Sequence, residues 1–117
     1  MTGRDPRAAA RARDMLHAGM AADIGADALA AYAGAANRFQ LARAFRAAYG
    51  TSPHAYLLQI RLLRARRLLR AGERPAAIAA ACGFADQSLF GRWFRRAYGL
   101  TPAAYRACCT GVPDKAA

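Results

Sequence analysis

Two arginines, Arg43 and Arg92, sit 49 residues apart in closely similar surroundings, RAFRAAYGTSPHAY from Arg43 to Tyr56 and RWFRRAYGLTPAAY from Arg92 to Tyr105. A guanidinium presents a planar fork of donors that fits a guanine edge or a phosphate two bonds at a time. An arginine on an exposed helix face is therefore a candidate nucleic-acid contact. With Leu41 and Phe45 as the buried stripe, the helical period puts Phe39, Gln40, Arg43, Arg46 and Ala47 on the opposite side. With Phe90 and Phe94 buried, the second segment exposes Ser88, Leu89, Arg92, Arg95 and Arg96. The N-terminal ends of these faces carry small, polar or apolar groups able to meet base edges, and the arginines further along suit phosphates. Phe39 fits either a thymine methyl contact or packing between lobes. Arginines also serve simply to keep a helix surface wet, and the recurrence of this pair with caps and core in register is what favours contact.

The rest of the composition points the same way. The 117 residues carry 18 basic against seven acidic side chains, a net charge of +11, and all but one of the basic residues are arginine. GC-rich coding accounts for part of the arginine preference but not for the charge, which implies a polyanionic partner. Enzymatic chemistry has no carrier: there is no acid/base pair, no phosphate-cradling loop and no convincing Cys/His nucleophile. Cys82, Cys108 and Cys109 lie far in sequence from His17 and His54, so neither a metal nor a cofactor is expected. An odd cysteine count fits a reducing compartment, with the adjacent Cys108 and Cys109 a candidate redox switch. No apolar run spans a membrane and no signal peptide opens the chain, so a cytoplasmic, nucleoid-associated protein is expected.

The elements that must hold these faces are helical. Over Ala28 to Tyr56 against Ala77 to Tyr105, eight identities other than alanine keep glycines, core aromatics, prolines and two arginines in register, which reads as a duplicated unit. Asp5-Pro6 opens a helix that ends by Gly19 and lids the first lobe. Asp27 is the expected cap of a short helix, Ala28 to Ala33, closed by Gly34. Asn37 caps a longer one to Gly50. Between the copies, Ser52-Pro53 opens a long helix to Ala71 stopped by Gly72, with Leu57, Leu58, Leu62, Ala65, Leu68 and Leu69 on one arc and Ile60 and Leu63 on a second apolar face. Pro75 then starts a short helix through Cys82, Asp86 caps a longer one to Gly99, and Thr101-Pro102 opens the last. The expectation is an all-α fold of seven helices. Two helix-turn-helix lobes, 1–51 and 73–109, flank a linker helix at 52–72, and a flexible tail covers 110–117. Trp93, on the flank, is expected to pack structurally; Tyr49, Tyr56, Tyr98 and Tyr105 read as core aromatics with hydroxyls in water. For Arg61, Arg64, Arg66, Arg67 and Arg70, phosphate contact and mere solvation stay equally open.

These residues carry a resemblance. Nearly the whole chain, from about Arg11 to Arg106, resembles the DNA-binding domain of AraC/XylS-type bacterial transcription regulators. The second copy matches closely: Gly83, Phe84, Asp86, Gln87 and Ser88 in the turn; Phe90, Arg92, Phe94 and Arg95 in the helix; Gly99, Thr101, Pro102, Tyr105 and Arg106 after it. The resemblance implies two homeodomain-like helix-turn-helix lobes whose recognition helices enter successive major grooves. It puts base reading at Phe39, Ala42 and Arg43 and at Gln87, Ser88, Gly91 and Arg92. The helical projection gives Phe39, Arg43, Ser88 and Arg92 independently; Ala42, Gln87 and Gly91 come from the resemblance alone. Phosphate contacts are expected from Arg38, Gln40, Arg46, Arg95 and Arg96. Two departures stand out: Gly34 lies three residues before Asn37 where the family's first unit usually sets two, and Ala42 and Gly91 have no side-chain hydrogen bond to offer.

The expected function is sequence-specific DNA binding by a transcription regulator, an activator, on an asymmetric site of about 20 base pairs, with RNA polymerase a further partner. The alternative is a non-specific architectural DNA- or RNA-binding protein acting through charge. Regulators of this kind usually carry a sensor or dimerisation domain ahead of the DNA-binding part, and nothing before Asp5 is long enough to be one. A fragment of a longer regulator or a stand-alone member is therefore expected.

Overall fold

The computed structural model describes residues 5–111, and among them it has seven α-helices and no strand. α1 (Pro6–Ala18) begins where the Asp5 carboxylate accepts the N–H groups of Arg7 and Ala8 at 3.0 and 3.3 Å. α2 (Ala26–Ala33) opens on Gly25, not on Asp27. Asp27 lies inside the first turn, where a carboxylate suits the positive helix end, and its oxygen is 3.7 Å from Arg38. α3 (Arg38–Tyr49) and α6 (Gln87–Tyr98) are the two longer helices of the repeat, capped by Asn37 and Asp86. α4 (Pro53–Arg70) starts with Ser52 Oγ accepting the Ala55 N–H at 3.1 Å. α5 (Pro75–Ala81) leaves Cys82 as its cap. α7 (Pro102–Thr110) closes on Gly111, so Thr110 is helical and not tail; residues 112–117 of the expected tail lie outside the described residues.

The chain divides into two compact units, Met1–Ile60 and Arg61–Ala117, with the division inside α4. In the first unit α1, α2, α3 and the start of α4 enclose Ala8, Ala9, Ala12, Leu16, Leu29, Ala30, Ala33, Leu41, Phe45 and Leu57. Alanine on α1 lets the helices approach closely, and Phe45 supplies the bulk. In the second unit the buried set is Leu62, Ala65 and Leu69 of α4 with Ile78, Ala79, Cys82, Phe84, Phe90 and Phe94. Burial pushes the Cys82 thiol above its ordinary range, against the pull of Arg64 and Arg61.

The repeat reaches further than the alignment at an offset of 49 residues. Arg13 lies 5.3 Å over the Tyr49 ring, and Arg66 lies 5.0 Å over Tyr98. His17 Nε2 bonds Tyr56 Oη at 2.7 Å, and Arg70 Nη2 donates to Tyr105 Oη at 3.0 Å. Buried Ala9, Ala12 and Leu16 answer to buried Leu62, Ala65 and Leu69. The C-terminal part of α4 is thus to the second unit what α1 is to the first, at an offset of 53 residues because the start of α2 lies ten residues after Leu16 and the start of α5 six after Leu69. That insertion hid the correspondence in the sequence.

Two expectations change. The Tyr56 and Tyr105 hydroxyls are not simply wet: each ties the helix after its unit's helix-turn-helix to the helix ahead of it. Leu63, expected on a second packed face, is 44% exposed, because the C-terminal part of α4 buries only the arc of Leu62, Ala65 and Leu69 in its unit.

Candidate nucleic-acid interface

In each unit the turn between the short and the longer helix depends on one left-handed glycine. Gly34 has φ +80° and Gly83 φ +83°, a region that costs any residue with a Cβ strain energy. Behind it the chain folds back in the same way twice: the Ala35 N–H donates to Ala30 O at 3.0 Å, and the Phe84 N–H to Ala79 O at 2.9 Å. Three residues after the glycine come the caps. Asn37 Oδ1 accepts the Gln40 N–H at 2.9 Å, and Asp86 Oδ1 accepts the Leu89 N–H at 2.8 Å. The glycine-to-cap spacing is therefore the same in both turns, and the two helices start in the same register.

On α3, Phe39, Arg43 and Arg46 are exposed and Ala42 is half-buried, so Phe39, Ala42 and Arg43 share one outward face at i, i+3 and i+4. Phe39 is a large apolar side chain that is 63% exposed. It forms one wall of an apolar cleft of about 240 Å³ with Leu29, Ala42 and Pro53. The Arg38 guanidinium lies 5.1 Å over the Phe39 ring as well as near Asp27, so this expected phosphate contact is held by two local partners. Gln40 is also engaged: its side-chain oxygen accepts the Ala36 N–H at 2.6 Å, closing the turn from the other side. Neither engagement was anticipated, although Asn37 and Gln40 have the spacing of a capping box.

On α6, Gln87, Ser88, Arg92, Arg95 and Arg96 are exposed and Gly91 is half-buried, placing Gln87, Ser88, Gly91 and Arg92 on one contiguous surface. A Cβ built at Gly91 meets nothing within 4 Å, so the surface there is open backbone. Neither α3 nor α6 contains an acidic residue, so no carboxylate on these helices offsets their arginines. Trp93, expected as plain packing, is half-buried with the Arg96 guanidinium 5.6 Å over its ring, a pair at i, i+3 on the helix.

Elsewhere the arginines divide. Arg66 and Arg70 are committed to Tyr98 and Tyr105, and hydrogen bonding to Tyr105 raises the Arg70 pKa further; Arg106 Nε donates to Gly72 O at 2.9 Å. Arg64 and Arg67 on α4 are exposed. Among the described residues no three His, Cys, Asp or Glu side chains are placed to hold a metal, and no helix is long and apolar enough to cross a membrane.

Comparison with known proteins fits this arrangement. A family profile described as a helix-turn-helix domain matches residues 29–107. A transcriptional regulator with an AraC-type DNA-binding domain from Chromobacterium violaceum is 32% identical, with a TM-score of 0.78 over 91% of this chain and 95% of that one. The DNA-binding domain of the global transcriptional factor AdpA, solved in complex with a target DNA, is 30% identical, with a TM-score of 0.82 over 95% of this chain and 98% of that one. A probable AraC family regulator from Rhodopseudomonas palustris CGA009 is 27% identical, with a TM-score of 0.76 over 87% and 96%. No curated protein sequence matches.

Proposed function

Because this chain belongs to the AraC-type helix-turn-helix family of DNA-binding transcription regulators, we propose that it binds a specific, asymmetric duplex site through α3 and α6, each entering a major groove, and that it acts as an activator. The carrying observation is the equivalence of Arg43 and Arg92. Each is exposed at the centre of an acid-free, 12-residue helix with an Asx cap and a left-handed glycine stop. In a groove, each would make the bidentate contact to guanine that is the commonest specific arginine contact. Phe39 would meet a thymine methyl in the first half-site. Gln87 has the amide that pairs with an adenine edge, and Ser88 accepts several partners. Arg46, Arg95 and Arg96 would lie on phosphates, with Arg38 and the amide end of Gln40 behind them. Two successive grooves give about 10 base pairs between half-site centres and a footprint of about 20. Contact between the DNA-bound chain and RNA polymerase is part of the same proposal, as is a cytoplasmic location.

Selection of bound sequences from a random duplex pool tests the reading. The selected site should bind at least about a thousandfold more tightly than random duplex at matched salt, with a log-log salt slope near −5 if about six arginines meet phosphates. Equal affinity for both at every salt concentration would leave only a charge-driven, non-specific binder.

A further inference from the structure

The second unit carries a feature on α6 that borders the base-reading face at Arg92 and extends away from it. Leu89, Arg92, Trp93 and Arg96 form an i, i+3, i+4, i+7 row and line an open cleft of about 220 Å³. Around the helix axis, Leu89, Trp93 and Arg96 fall on one side of Arg92, and Gln87, Ser88 and Gly91 on the other. A helix seated in a major groove has sugar-phosphate walls along its flanks. The cleft matches such a wall in chemistry: an isobutyl group and an indole supply apolar surface, and guanidinium groups supply charge at its edge. Arg96 is held over the indole, so its charge is placed before any partner arrives.

Resting on the proposed function, we propose that this cleft is a backbone subsite for one nucleotide of duplex DNA. The deoxyribose would pack against Leu89 and Trp93, the phosphate would sit on Arg96, and Trp93 would be the positioning residue for that arginine. The first unit provides an internal contrast. At the same register α3 has Gln40, Ala44 and Ala47, and the hollow there is lined by Pro6 and alanines without charge. Both helices thus carry a central arginine, but only α6 has the aromatic flank.

Trp93 is the chain's single tryptophan, so its fluorescence reports this cleft alone. In a titration with the selected duplex, the anisotropy of a labelled strand records binding while acrylamide quenching records access to Trp93. The subsite predicts that Trp93 becomes shielded in step with the anisotropy. Arg96→Ala and Trp93→Leu should each lower the salt slope by about 0.9 and weaken binding about fivefold near 0.15 M salt, as loss of one phosphate contact does. The double variant should be no weaker than Trp93→Leu alone, and Trp93→Phe, which keeps a ring beneath Arg96, should restore most of the loss. Circular dichroism checks the fold of each variant, and the shielding measurement on the unaltered chain stands even if Trp93→Leu unfolds. Saturated anisotropy with Trp93 still open to acrylamide, or additive losses in the double variant, would overturn the subsite while leaving the proposed function intact. Loss of affinity when uracil replaces thymine beside α6, with the salt slope unchanged, would overturn it in favour of a methyl contact. A chain that binds no duplex at all removes the proposed function and the subsite together.

Discussion

The first unit has a single phenylalanine in its core, Phe45, with Leu41 and half-buried Ala35 at the positions where the second unit has Phe90 and Phe84 beside Phe94. The aromatic frame that both retain is small. Phe45 meets Tyr49 and Tyr56 at 4.7 and 5.4 Å between ring centres, and Phe94 meets Tyr98 and Tyr105 at 4.7 and 5.5 Å. In the second unit that frame continues through Phe90 to Phe84 at 5.7 and 5.1 Å. The difference teaches that the duplicated plan is fixed by the caps, the left-handed glycines and one Phe-Tyr-Tyr cluster, while the remaining volume can be filled by small or large groups as the neighbouring helices allow.

The sharpest way to break this comparison is to remove the shared centre. Phe45→Ala and Phe94→Ala each delete a side chain with no exposed surface and should cost about 3 to 5 kcal/mol, read from urea unfolding by circular dichroism. If the continuous aromatic run stiffens the second unit, Phe94→Ala should be the costlier of the two, since Phe90 then loses a partner as well. Equal costs would mean that only the shared cluster matters.

Next in size are the two facing arginines. Arg43→Ala and Arg92→Ala should each cost about 1 to 3 kcal/mol on the selected duplex and relax the base preference at one position, measured by competition against single-base variants of the site. The outcome ranks the half-sites: the unit whose arginine matters more is the main reader. An Arg92→Ala chain that weakens equally on selected and random duplex would make Arg92 a phosphate contact and leave base reading to the first unit.

A smaller effect tests the repeat that the alignment missed. Arg13→Gln and Arg66→Gln each remove a half-buried guanidinium from a tyrosine ring and should destabilise by similar amounts, about 1 kcal/mol, in thermal unfolding. Unequal losses would argue that α1 and the C-terminal part of α4 are equivalent in position but not in load.

How much of this was legible depends on range. The seven helices, the caps at Asp5, Asn37, Ser52, Asp86 and Thr101, and the outward faces of α3 and α6 follow from periodicity and local capping chemistry, which act over three or four residues. The Gly25 start of α2 was not legible, because glycine gives no side-chain signal and Asp27 is an equally good local candidate that the fold uses instead in the first turn, near Arg38. The links from His17 to Tyr56 and from Arg70 to Tyr105 join residues far apart in the chain, and the extra residues before α2 put them out of register. Of the site, the shared faces were readable from spacing. The use of Gln40 by the turn and the seating of Arg38 on Phe39 are choices among rotamers that packing decides.

The smallest predicted change makes the two helices alike. Ala42 in α3 and Gly91 in α6 hold the same register position, and Gly91 has helical backbone with open space where a Cβ would be. Gly91→Ala should therefore stabilise the folded chain by about 0.4 to 1 kcal/mol, since it restricts the unfolded ensemble without a clash in the folded one. DNA binding supplies the opposing test. If α6 approaches the duplex at Gly91 more closely than α3 does at Ala42, the added methyl should weaken binding to the selected site although the protein has become more stable. A rise in stability with affinity unchanged would mean that both helices stand equally far from the bases and that the bare backbone at Gly91 is not needed for contact.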